Sequence, residues 1–271
     1  MRTVKPIPPA PKCMLRPFER FGALWVPSRR QMLGVLGAGL LAPGIARAAA
    51  FSLVAHTGGA LGLSSPKTTS AIDTTGANLL VVVLVSNNGT VAHLSFDSKS
   101  NSWTPLTAQT QVSGSQVQIY YCVPTTVGSG HTVTFQASSN FYASGYFAAF
   151  SGAAAAPFDV QNGATNTSAT MSPGSITPAF SDELVISGIS MHLSSAPTVD
   201  ASMTVLDSNG FLSGTYFGGG IAYKIQTAAA VINPVWTMSS SDKTACVIAS
   251  FKSTSSTTGG SRVRHKATGG E

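Results

Sequence analysis

The chain is short of charge and shorter still of chemical landmarks. Only a tenth of its 271 residues are Asp, Glu, Lys or Arg, too few for a solvated disordered chain or a helical array laced with ion pairs. Three cysteines exclude a disulfide-dense scaffold and supply none of the paired Cys spacings of a zinc site. No G-x-S-x-G elbow and no H-E-x-x-H or H-x-x-x-H pair occurs, and His56, His93, His131 and His192 stand singly, so neither a serine hydrolase nor a two-histidine metal site is indicated. Gly218-Gly219-Gly220 leads into a strand pattern rather than a helix, which reads as a bulge or a close backbone approach and not as a phosphate cradle. A glycosidase needs two carboxylates about 5–10 Å apart across a sugar. Asp182 and Glu183 are adjacent at a strand mouth, where successive side chains leave on opposite faces. Asp97–Asn101 and Asp207–Gly210 have calcium-loop oxygens at incomplete spacing and read as Asx turns. No catalytic residue, cofactor or metal ligand is therefore assigned.

What is present begins with Ser28-Arg29-Arg30-Gln31-Met32-Leu33, a Gly/Ala/Leu run and Ala46-Arg47-Ala48. This positive, apolar and small-residue order looks like a bacterial twin-arginine export signal, with Arg29 and Arg30 addressing the export machinery. The apolar run is broken by Pro43 and falls short of the about 18 residues a membrane span requires, so no permanent anchor is expected. Residues 1–48 are excluded from the fold as signal and basic leader. The exclusion changes the electrostatics. Residues 1–48 hold eight basic residues against Glu19 alone, so the remainder of a chain of net charge +6 carries −1. A nucleic-acid partner, which needs a basic stripe on the folded body, is not expected. Cys13 leaves with the signal, and Cys122 and Cys246 remain as an even pair, open to one disulfide in an exported protein or to burial as two small hydrophobes.

Residues 49–253 alternate β-branched and aromatic runs with Gly, Ser, Asn, Asp and Pro turns, without a sustained helical period. Strands are expected at 79–86, 91–96, 116–123, 131–136, 142–150, 184–191, 203–206, 219–225, 231–237 and 244–251, with a turn at Ser239–Asp242. Leu79–Val85 is apolar at successive positions, the pattern of a strand covered on both faces. The chain also repeats itself once. Leu80–Ser86 answers to Leu184–Ser190, Asp97-Ser98 to Asp207-Ser208, Tyr120–Val123 to Ala222–Ile225, Phe135 to Trp236, and Ala148–Ser151 to Ala249–Lys252. The expectation is an all-β, antiparallel, jelly-roll-like sandwich of two pseudo-repeats, 51–152 and 153–253, followed by a Ser/Thr/Gly-rich disordered tail from 254 to 271.

From Asn78 to Gly152 the strings LLVVVLVS, FDSKSNSWTPL, QIYYCVP, GSGHTVTF and AAFSGA resemble a module that recurs in secreted bacterial and phage-associated proteins. SDELVISGIS through ACVIASFK matches its closing part. The resemblance implies a non-catalytic β-sandwich of surface, envelope or appendage proteins and carries no functional residues with it. An exported binding or cell-surface protein, periplasmic or extracellular, is the expectation, with an envelope or extracellular glycan as ligand because flat rings on a β-surface stack on sugars. Trp103 and Tyr216, each following a polar loop, are the candidate ligand-binding rings, whereas Trp236 and its counterpart Phe135 look like core. A polysaccharide-active jelly roll and a structural subunit assembling through sheet edges are the alternatives.

Overall fold

The run Leu79–Val85 explains the layering of the molecule. In the computed structural model, which describes residues 50–87, 92–112, 114–137, 139 and 141–254, this run lies in a strand with every residue from Leu79 to Ser86 buried. Its odd positions, Leu79, Val81, Val83 and Val85, enter one apolar cluster, and its even positions, Leu80, Val82 and Leu84, enter another. A period-two chain with both faces apolar can only sit between two layers. Burying each such side chain stabilises the fold by about 1.5–3 kcal/mol.

Three antiparallel sheets result. The first contains β1 (Ser52–Ala60), β3 (Leu79–Asn87), β5 (Thr104–Pro105), β6 (Gln109–Thr110), β7 (Ser115–Cys122) and β9 (Ala143–Ser151), in the order β1-β9-β3-β7-β5, with β6 also on β7. The second contains β10 (Ala153–Met171), β11 (Glu183–Met191), β12 (Thr198–Val199), β13 (Thr204–Asn209), β14 (Gly218–Gln226) and β15 (Trp236–Ser253), in the order β10-β15-β11-β14-β13, with β12 on β15. The two stack as a sandwich around the cluster of Val81, Val83, Ile119, Phe150, Leu184, Ile186, Phe217 and Phe251. β2 (Lys67–Thr68), β8 (Val133–Gln136) and β4 (His93–Asp97) form a small third sheet. Val133 and Phe135 of that sheet cover the outer face of the first. Trp236, Met171, Ile176 and Ile232 cover the outer face of the second.

The halves are equivalent in topology, and their registers fix the correspondence. Leu79 pairs with Phe150 as Leu184 pairs with Phe251, and all four enter the inter-sheet cluster. The repeat expected from sequence, Leu80 with Leu184, is thus one residue out in these strands. Leu80 faces outward and Leu184 inward, and a one-residue slip exchanges faces. The correspondences of Tyr121 with Tyr223 and Phe150 with Phe251 hold. Tyr121 packs on Phe251 at 5.4 Å between ring centroids, and Tyr223 packs on Phe150 at 5.7 Å. Such reciprocal contact is the mark of a two-fold interface. Phe135 and Trp236 are both fully buried under the equivalent outer layers. The bridges Ile72 to His131 and Ile176 to Ile232 repeat as well.

Three other expectations are corrected. Asp97 does not correspond to Asp207, which lies inside β13. Its counterpart is Asp200, since each accepts the N–H two residues on and its carbonyl accepts the N–H three residues on. Ser239–Asp242 is not a turn but the exposed middle of β15, pairing with the polar end of β10 through Ser168 and Asp242. β1 and β10 were not expected at all. Both are edge strands, in which Ala, Asn, Thr and Gly replace the apolar run that marks a central strand. The segment expected to be an export signal, with Arg29 and Arg30, and the tail from 255 onward lie outside the described residues. Among the described residues no helix is long and apolar enough to cross a membrane.

Candidate functional site

An edge of the sandwich opens between the two sheets where the loop from β5 to β6 meets β10. Thr107, Gln109, Gln161, Asn162 and Gly163 line a cleft of about 200 Å³ there. Leu106 turns inward to the inter-sheet cluster, which brings Thr107 to the rim, and the Thr107 N–H donates to Gln161 Oε1 at 3.0 Å. Asn162 is fixed by its own neighbourhood. Its Nδ2 donates to Ser175 O at 3.0 Å and its Oδ1 accepts the Gly163 N–H at 2.8 Å. Gly163 leaves room for Gln109, whose Cγ and carboxamide occupy the space a Cβ would take. The Gln109 carboxamide and Gln161 Nε2 have no hydrogen-bond partner among the described residues. With Asn162 and Gln161 Oε1 engaged, the Gln109 carboxamide and Gln161 Nε2 offer two amide donors and one carbonyl acceptor, and no ionisable group lines the cleft. On the same edge Tyr121 and Phe158 are half-buried and stacked, 6.0 Å apart and 19° from parallel.

The duplication supplies a comparison for this cleft. Gln161 pairs with Ala249 as His56 pairs with Ala148, and Gly163 pairs with Val247 as Gly58 pairs with Tyr146. The opposite edge, where β13 lies against β1, is therefore its pseudo-symmetric equivalent. That edge is closed. His56 Nδ1 lies 2.7 Å from Asp207 Oδ2, and a Cβ on Gly58 would stand 2.8 Å from the Asp207 Cβ. Asn209, which faces Gly219 as Gln109 faces Val117, accepts from Tyr146 Oη at 2.7 Å and donates to Ser144 Oγ, Gly210 O and Phe217 O. On one edge the amide is fully used within the fold, and on the other it is left facing solvent.

The residues singled out from sequence do not meet in one place. Trp103 is half-buried against the outer cluster of the first sheet. Its Nε1–H donates to Asp97 Oδ2 at 3.1 Å and its ring meets Phe147 edge-on at 6.2 Å. It is an anchored wedge, not a free platform. Tyr216 is half-buried in the turn between β13 and β14, bonded through its backbone to Leu212, at the edge opposite the one Trp103 precedes. Cys122 and Cys246 are free thiols. They lie in the outer clusters of different sheets with the inter-sheet core between them, so the disulfide considered from sequence does not form. Burial pushes both thiols well above the usual range. Gly218 and Gly219 do mark a close approach, to Met191 O and Ile189 O of the neighbouring strand.

One cluster was invisible in the sequence because its members are scattered. Thr74 Oγ1 lies 2.9 Å from His131 Nδ1, and His131 Nε2 lies 3.1 Å from Asp97 Oδ2. Burial raises the Asp97 carboxyl, but hydrogen bonds from Asn101, His131 and Trp103 outweigh it and hold the pKa below the usual value. The order hydroxyl, imidazole, carboxylate is that of a hydrolytic triad. Thr74 and His131 are nevertheless at zero exposure and Asp97 at 3%, so no substrate reaches the hydroxyl in this conformation, and the cluster ties the third sheet to the first. Glu183 is likewise buried. It accepts the Phe180 N–H at 2.9 Å, and burial, with Asp159 beside it, pushes its carboxyl upward. Asp159, half-exposed, accepts from the Ala179 N–H and the Ser250 hydroxyl, so it is engaged within the fold beside the buried Glu183. Among the described residues no three His, Cys, Asp or Glu gather as a metal-binding group. Comparison with known proteins finds no family model, no curated protein and no solved structure that matches the chain.

Proposed function

We propose that the protein is an exported, non-catalytic β-sandwich that binds a glycan of the envelope or surroundings, and that the amide-lined cleft between the two sheets is its site. The observation that carries this reading is the contrast between equivalent edges. Asn209 is tied into the fold by four hydrogen bonds, whereas Gln109 and Gln161 Nε2 are left open in the cleft. Sugar hydroxyls both donate and accept, as carboxamides do, and polar groups converging on a concave surface are the ordinary form of a small-ligand site. Export rests on the twin-arginine-like segment, and the non-catalytic reading on the burial of the Thr74, His131 and Asp97 cluster and of Glu183.

A glycan array and polysaccharide pull-down on the chain from Ala49 onward test the proposal, with Gln161→Ala, Trp103→Ala and Tyr216→Ala alongside. Binding that Gln161→Ala abolishes and the two aromatic variants leave intact is expected. Binding lost only in Trp103→Ala or Tyr216→Ala moves the site away from the cleft. No binding to any glycan leaves assembly through sheet edges as the better reading.

A further inference from the structure

The buried amine of Lys67 is not required by the fold. Lys67 is 2% exposed, and its Nζ has no hydrogen-bond partner among the described residues. It lies over the face of Phe141, 5.0 Å from the ring centroid. Lys67 pairs with Phe135 as Met171 pairs with Trp236, so the equivalent position in the second half holds an ordinary apolar side chain, itself 3% exposed. An unpaired ammonium in such a place is strongly disfavoured, and the neutral amine much less so.

The layer that carries Lys67 is also built differently from its counterpart. In the second half, the residues covering the outer face are continuous with the main sheet. Met171 ends β10 and Trp236 begins β15. In the first half the chain leaves regular structure after Ala60 and again after Gln136, so β2-β8-β4 is a separate sheet. At one end it is pinned by the Thr74, His131 and Asp97 bonds and by the packing of His131 on Phe147. At the other end lie the pairs of Lys67 with Phe135 and His93 with Gln136, held by the Ser65 hydroxyl on the Ala137 backbone. A hydroxyl-lined hollow of about 80 Å³ already separates β1 from the residues around β2, between Thr57 and Gly59 on one side and Thr68 to Ser70 on the other.

We infer that the β2-β8-β4 layer is a hinged flap, fixed at the Asp97–His131–Thr74 end, which a protonated Lys67 lifts from the first sheet and a neutral Lys67 allows to seat. The inference does not depend on the glycan site. The titratable groups on the surrounding elements are His93 and Asp97 of β4, His131 ahead of β8, and Tyr120 and Cys122 of β7. His56 of β1 and Tyr146 of β9 face the other side of the first sheet, toward Asp207 and Asn209. None of them bonds Lys67, and its pKa falls from 10.5 to about 8 through burial alone. With an ordinary lysine in the open state, the open fraction rises about 25-fold between pH 9.5 and pH 7.

A thiol placed under the free end makes this measurable. Leu84 lies in the outer cluster of the first sheet and pairs with Gly145, where the ring of Phe135, the partner of Lys67, closes over the strand. Leu84→Cys, alone and combined with Lys67→Met, is labelled with N-ethylmaleimide at pH 7 and pH 9.5, and the peptides carrying position 84 and Cys246 are quantified by mass spectrometry. Position 84 is expected to label faster than Cys246, because the flap opens short of global unfolding. The dependence of thiol reactivity on pH cancels between the two backgrounds, and the ratio of labelling at position 84 with Lys67 to labelling with Lys67→Met is expected to be at least tenfold higher at pH 7 than at pH 9.5. Equal labelling rates at position 84 and Cys246, or a ratio between the backgrounds that is the same at both pH values, overturns the inference.

Discussion

Replacing Lys67 by methionine, the residue at the equivalent position of the second half, should stabilise the whole protein in a way that depends on pH. A lysine whose pKa falls from 10.5 in the unfolded chain to about 8 in the folded one is protonated in both states below pH 8. There the folded state bears the full cost of the buried charge, about 3 kcal/mol at 1.36 kcal/mol per unit. Between pH 8 and 10.5 the folded amine is neutral while the unfolded one still holds its proton, so the cost shrinks as pH rises, and above 10.5 it is gone. Lys67→Met should therefore gain about 3 kcal/mol at pH 7 and about 1.4 kcal/mol at pH 9.5, beyond a pH-independent packing difference of less than about 1.5 kcal/mol. Urea unfolding followed by tryptophan fluorescence at the two pH values reads both numbers. The reciprocal change, Met171→Lys, should reproduce the loss in the other half with the same trend. A gap between Lys67→Met and the native chain that is equal at pH 7 and pH 9.5 would refute the reasoning, because packing differences do not titrate.

Three further outcomes are expected. Trp236→Ala, at a fully buried ring whose Nε1–H donates to Ser187 Oγ at 2.9 Å, should cost about 3–5 kcal/mol in chemical unfolding, and Trp236→Phe distinctly less. Glu183 has a raised carboxyl pKa from burial and from Asp159, so the native chain should lose stability as pH rises from its unfolded value through the folded one. Glu183→Gln should remove that slope in melting temperatures taken between pH 4 and pH 8. Tyr223→Leu breaks the ring contact with Phe150, whereas Tyr121→Leu breaks the equivalent contact with Phe251 and also the stack on Phe158, so Tyr121→Leu should cost more, by about 0.5–1.5 kcal/mol for the extra ring pair. Equal losses in urea unfolding would show that the Phe158 stack contributes nothing to stability.

Legibility in the sequence followed the hydrophobic signal. The central strands were readable because a strand buried on both faces, such as the one containing Leu79–Val85 or Leu184–Ile186, is apolar at consecutive positions. Edge strands carry no such signal. β10 is 19 residues long, yet its composition of Ala, Asn, Thr and Ser is that of a loop, and only its pairing with β15 makes it a strand. The duplication was visible in residue identity, but not its register in β3 and β11. In Leu-Val-Val-Val-Leu-Val every one-residue slip preserves apolar matches, and the faces are decided by the partner sheet alone. The cleft was illegible for a similar reason. Gln109 and Gln161 are ordinary polar residues until the stacking of the two sheets sets them across a common opening. Aromatic residues drew attention to Trp103 and Tyr216, but position after a polar turn does not distinguish an exposed ring from one anchored by a carboxylate, as Asp97 anchors Trp103.

The duplication also gives the chain its own internal control. Where the halves agree, as at Phe150 and Phe251 or Gly58 and Gly163, the shared residue is what the sandwich needs: an inward ring, or room for the opposing edge. Where they differ, the half with the simpler residue shows what the fold would accept. Met171 shows that Lys67 is dispensable to packing, Ile232 shows the same for His131, and the closed edge of His56 and Asp207 shows that the open edge of Gln161 and Gln109 is not a geometric necessity. Two of these departures, Lys67 and His131, lie in the outer layer of the first half, and the third forms the cleft between the sheets. If they were neutral drift, exchanging each residue for its counterpart would change stability by the ordinary packing increments and nothing else. A change in pH-dependent thiol exposure with Lys67→Met, and in ligand binding with Gln161→His, would instead place function where the two-fold symmetry fails.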